Sequence, residues 1–182
     1  MEKSLRTIQK LSKLGRILSR IILIFCIVGA AFCLIGLTGW GGSTLVRFAD
    51  VKINGVVPES AGAALAAFRA SMAGGLVSLV FEILLAGSAA RYFRSELADG
   101  TPFTLRGADE MKRLGIRAIV LPLLGSLGSE LVSYLVAKNL GIDLKPELHA
   151  SVSLTMGILF LVESVIFRYG AQREQAASEK DA

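Results

Sequence analysis

Four stretches of this chain are each about as long and as apolar as a helix that spans a bilayer. They run at about residues 21–40, 70–90, 118–137 and 148–167. A hydrocarbon slab of ~30 Å takes roughly 20 apolar residues in helical form, and a soluble domain rarely tolerates apolar residues blocked in this way. With 182 residues, 53% of them hydrophobic, the chain reads as one all-α domain. The expected architecture is an integral membrane four-helix bundle with a basic amphipathic helix at 1–20, a helical elbow between the second and third spans, and a polar tail at 170–182.

The chemistry available is narrow. The only cysteines, Cys26 and Cys33, lie in the first apolar block, so no disulfide framework or cysteine zinc site is expected. The single histidine, His149, cannot supply a His-rich metal centre, and neither an HExxH nor a GxxxxGK[ST] motif occurs. No enzymatic activity, metal or cofactor is expected.

Residues 1–20 carry Lys3, Arg6, Lys10, Lys13, Arg16 and Arg20, interleaved with Leu5, Ile8, Leu11, Leu14 and Leu18. The spacing of three or four gives a helix with a basic and an apolar face. Two readings stay open. The helix lies on an anionic membrane surface, or it is a basic flank that orients the next helix. The flank and the apolar run are both too long for a signal peptide, so an uncleaved first span is expected. A helix is expected from Ala61 to about Ala98, ending at Asp99-Gly100. Thr104 opens the next helix, and Pro122 can kink it. Trp40 fits an interfacial aromatic, and Asn54-Gly55 marks a turn.

Charge sets the orientation. If both termini share one side, that side holds residues 1–20, 91–117 and 168–182, with 6, 6 and 3 Lys or Arg, 15 together. The other side holds 47–69 and 138–147, with 3 and 2, or 5. Short loops follow the positive-inside rule, which puts both termini in the cytoplasm of a bacterium, with the chain in its inner membrane. Insertion is weakest for the second span. It has eight Leu, Ile, Val or Phe residues and carries Glu82. At about −0.3 to −0.6 kcal/mol each against about +2.5 to +3.5 for a central acid, its sum is near zero.

Glu82, Glu130 and Glu163 are the acids within the apolar blocks. Carboxylates facing lipid are disfavoured. Ser71, Gly75, Ser78 and Glu82 share one helical face, as do Ser126, Glu130, Ser133 and Ala137. Small residues and serines favour close helix contact, so these two faces are expected to meet. The acids then serve either interhelical hydrogen bonding or a proton- or cation-coupled site. Glu163 lies near the membrane edge and is expected to orient its helix with Arg168.

The stretch from Arg91 to Thr104 is the most motif-like. Tyr92, Phe93 and Leu97 form an apolar stripe, Arg91 and Arg94 add charge, Gly100 permits a left-handed helix end, and Pro102 and Phe103 set and anchor the return. It reads either as a structural elbow or as a docking surface for a cytosolic partner. With Met111 and Leu114-Gly115, and with Gly100-Thr101-Pro102-Phe103 at its centre, it resembles the small bacterial membrane proteins catalogued as domain of unknown function 2975. That resemblance implies a four-helix integral membrane protein accompanied by a small helix-turn-helix regulator. It implies nothing about Glu82 or Glu130.

The expected function is a non-enzymatic regulatory or sensory membrane module. It would act on a cytosolic regulatory protein and touch anionic lipid, without contacting nucleic acid directly. The alternative is a small carrier or transporter subunit using Glu82 and Glu130. The small-residue faces can serve within one chain or between copies in a homo-oligomer.

Overall fold

The computed structural model describes residues 2–38, 61–99, 104–142 and 154–178. These residues are all-helical: α1 (Glu2–Leu37), α2 (Ala61–Asp99), α3 (Leu105–Asn139) and α4 (Leu154–Ser178). Trp40, Asn54-Gly55, Gly100, Pro102, Phe103 and His149 lie outside the described residues.

Three of the helices are long and apolar enough to cross a membrane: α1 from Ser12, α2 from Gly62 and α3 along its length. At 1.5 Å per residue they measure about 54, 58 and 52 Å, well beyond the hydrocarbon thickness. From Leu154 to Phe167, the apolar part of α4 covers only about 21 Å; the expected start of that span, at 148, falls outside the described residues. The chain is a membrane protein by this measure. Its large side chains point outward accordingly, as at Leu14 (61% exposed), Phe25 (72%) and Val165 (68%). In water such exposure would be costly; in lipid it is the ordinary condition of a helix surface.

The helix boundaries follow local chemistry. Thr104 caps α3, its hydroxyl accepting from Gly107 N–H at 2.9 Å and its carbonyl from Ala108 N–H at 2.9 Å, which satisfies donors the first turn leaves free. The other end of α3 is a Schellman closure. Ile142 N–H donates to Ala137 O at 2.9 Å and Gly141 N–H to Lys138 O at 3.2 Å. Gly141 takes φ +75°, a left-handed conformation that glycine adopts without penalty. Pro122 sits inside α3, which continues through it.

No boundary separates a basic surface helix from a first span: α1 is one 36-residue helix. Among the residues of α1 whose side chains are described, the buried ones are Ser12, Ser19, Cys26 and Cys33, with Gly36 beside the last. The interval is seven throughout, the period of a left-handed helix–helix seam. Leu14 and Leu18, on the apolar stripe expected from sequence, are exposed. The buried side is therefore the small side, and the bulky residues face outward.

The chain divides into two compact units. One gathers Met1–Ile24, Leu84–Leu121 and Val152–Ala182; the other gathers Phe25–Ile83 and Pro122–Ser151. The first, here the terminal unit, has a core of Tyr92, Met111 and Leu114, with Leu85, Phe93, Phe160 and Phe167 against it. Its α3–α4 contact is backbone-close: a Cβ on Gly115 would stand 3.1 Å from Gly157 O. The second, the inner unit, packs Met72 and Ile142 on Ala67 and Phe68.

Candidate functional site

In the inner unit, α2 has two packing faces built largely from small residues. One meets α3. Ser133 Oγ donates to Ala70 O at 3.1 Å, a Cβ on Gly74 would stand 2.7 Å from Ser129 O, and Gly125 and Gly128 lie under Phe81 and Val77. Ala70, Gly74, Val77 and Phe81 fall within about 60° of one another at 100° per residue. The other face meets α1, where Gly36 lies against Met72 and Phe68, Gly29 against Leu79, and Gly75 opposite Cys33.

Glu82 belongs with the α1 face. It lies about 100° round the helix from Phe81 and accepts a hydrogen bond from Cys26 Sγ at 3.6 Å. Its surface is otherwise exposed, while Cys26 is buried. Glu130 is half-buried, about 100° round the helix from Ser129 and about 60° from Ser133. Glu82 does not lie on the seam where α2 and α3 meet, contrary to the sequence expectation. The strip holding Gly75 and Glu82 turns to α1, and the strip that meets Ser129 and Ser133 is Ala70–Gly74–Val77–Phe81. Ser133 is on that seam as expected; Ser78 and Ser126 are half-buried. Adjacent glycines at 74 and 75 give α2 two close-approach strips, and sequence alone does not say which helix takes which.

In the terminal unit the residues singled out from sequence divide between scaffold and surface. Phe93 is scaffold. Its ring covers Gly15 of α1, so closely that a Cβ there would be 2.6 Å from Cζ, and it meets Tyr92 edge-on at 5.4 Å between centroids. Arg91 and Arg94 are exposed. Ser12, buried on the α1 seam, donates to Glu96 Oε1 at 2.8 Å. Glu163 and Arg168 are both exposed, and Glu163 stands in electrostatic range of Tyr92 and Glu96.

One feature here was missed in the sequence. Ser88, Arg91, Tyr92, Glu110, Arg113, Leu114 and Arg117 line a cavity of about 120 Å³ between α2 and α3. Arg117 Nη1 donates to Ser88 Oγ at 3.0 Å, and Arg106 Nε pairs with Glu110 Oε1 at 3.2 Å. The Tyr92 hydroxyl is buried and faces the Glu96 carboxylate. The signal was present in the sequence: Arg91 closes one apolar block while Arg113 and Arg117 precede the next. It became a site only when the two helices were seen side by side. Among the described residues, no three His, Cys, Asp or Glu side chains gather in a way that could hold a metal.

No family model matches this chain, and no curated protein or solved structure matches it either.

Proposed function

We propose that the chain is a four-span protein of a bacterial inner membrane, with both termini in the cytoplasm, and that it works as a regulatory or sensory module acting on a cytosolic protein. Three long apolar helices and the 15-to-5 division of Lys and Arg support the membrane orientation. On this reading α4 is the fourth span, the start of α1 is the basic amphipathic part, and residues 91–117 face the cytoplasm.

A single observation carries the functional reading. Arg91, Arg94, Lys112, Arg113 and Arg117 are exposed on two helices whose inward positions, Tyr92, Met111 and Leu114, are already filled. The cations are therefore held on a packed scaffold, as a docking surface for an acidic partner requires. By sequence the elbow residues Gly100, Pro102 and Phe103 belong to the same docking region, and Phe93, packed on Gly15, supports its described part. The resemblance to the domain of unknown function 2975 family makes a small helix-turn-helix regulator the partner to test. A photoreactive residue at position 94 of the full chain, cross-linked in cells, is expected to yield one cytosolic adduct. Arg91→Glu with Arg113→Glu should remove that adduct without loss of membrane insertion. An adduct that survives both substitutions would overturn the reading.

A second reading, a carrier subunit using Glu82 and Glu130, is favoured by one observation: Glu82 is exposed within an apolar stretch, where bare lipid is a poor neighbour for a carboxylate. A carrier needs water there. Cysteines placed beside Glu82 should then react with water-soluble thiol reagents, and their protection would exclude it.

A further inference from the structure

We propose that the cavity between α2 and α3 in the terminal unit is a binding site for a phosphate ester, and that its source is the headgroup of an anionic glycerophospholipid. The source rests on the membrane orientation proposed above; the phosphate chemistry does not.

The lining carries the argument. Arg91, Arg113 and Arg117 converge on one space from two helices. Three arginines share this lining with a single lining acid, and guanidinium groups held together repel one another, so the arrangement favours an anion among them. The one acid in the lining, Glu110, is paired with Arg106 from outside the cavity, while Glu96 and Glu163 act on Tyr92 without lining the space, so positive charge predominates in the lining. Arg117 is steadied by its bond to Ser88, so its planar fork is held in place for a tetrahedral oxyanion. Tyr92, in the same lining, turns its buried hydroxyl toward Glu96 and gives the site ring surface only. At about 120 Å³ the space has room for a phosphate group.

Position selects the source. Arg91 follows the second apolar stretch and Arg117 immediately precedes the third. Both therefore stand at the depth where lipid phosphates lie, with the acyl chains free to run along the outward apolar surface of α2 and α3. A phosphodiester carrying one negative charge would meet three cations there.

The test uses the full chain in a neutral detergent, with bound lipid read by native mass spectrometry and by thermal shift. Phosphatidylglycerol is expected to bind one to one and phosphatidylcholine much more weakly. Arg113→Gln and Arg117→Gln should each weaken phosphatidylglycerol by about tenfold, the effect of losing one charge-assisted hydrogen bond. Arg117→Lys keeps the charge and loses the fork, so it should also weaken binding, and it serves if the glutamine variants fail to fold. Lys112→Gln, a cation outside the cavity, should leave binding unchanged. Inorganic phosphate at millimolar concentration is the second arm. If it alone saturates the site and phosphatidylglycerol does not, the phosphate site stands and its lipid source falls. Equal losses for Lys112→Gln and Arg117→Gln would mean diffuse attraction and overturn the proposal. So would equal binding of the two lipids. The cross-linking experiment at position 94 does not read lipid, so failure of either proposal is distinguishable from failure of the other.

Discussion

Gly74 and Gly87 both lie in α2, yet a methyl group meets very different surroundings at the two positions. At Gly74 it would press on Ser129 O at 2.7 Å, a backbone atom that cannot turn aside; at Gly87 nothing lies within 4 Å. Gly74→Ala should therefore destabilise the protein by about 1–3 kcal/mol, the usual penalty for overpacking. Gly87→Ala should be neutral or stabilising by up to about 1 kcal/mol, since alanine is the better helix former. Thermal melts in a single detergent would check the pair, and equal effects would mean that α2 and α3 are not in contact at Gly74. Ser133→Ala, which removes the bond to Ala70 O, should cost only about 0.6 kcal/mol, typical of interhelical hydrogen bonds in membranes.

For whole helices, the ends and the faces were legible to different degrees. The extent of α2 and the start of α3 could be read from Asp99-Gly100, Pro102 and Thr104, because capping and turn chemistry act over three or four residues and leave a local mark. Thr104→Ala should cost about 1 kcal/mol. Gly141→Ala should cost about 1–2 kcal/mol through its left-handed φ, with faster amide exchange at Gly141 and Ile142 as the local readout. Pairing of faces left no such mark. The Ser-x-x-x-Glu patterns of α2 and α3 look matched, but α2 carries small residues on two sides, and hydrophobic contrast cannot choose between them when lipid is as apolar as the core. On α1 the expected signal even ran in reverse. The leucine stripe drew attention, while the packed side was the seven-residue series of Ser12, Ser19, Cys26 and Cys33. The cavity of arginines was hidden for a related reason: its members come from two helices, and nothing in one dimension joins them.

Across the whole molecule, the outward display of leucine, isoleucine and phenylalanine makes hydrocarbon the natural solvent for its middle. Alkaline carbonate should fail to release the protein from vesicles, and reporters fused at either end should both register the cytoplasm. A reporter that places the two ends on opposite faces would require an odd number of spans and remove the 15-to-5 charge division as an orienting force. The seam on α1 has a further bearing, on how the protein is assembled. Between residues 12 and 37 the buried strip of α1 carries nothing bulkier than a thiol, so no neighbour needs a deep notch to receive it. During translation this helix leaves the ribosome before α2 and must wait among lipids until α2 has been synthesised. A smooth, narrow keel suits that history: the helix can stand by itself without a gap in its greasy flanks and then dock by a sideways glide, with no side chain threading past another.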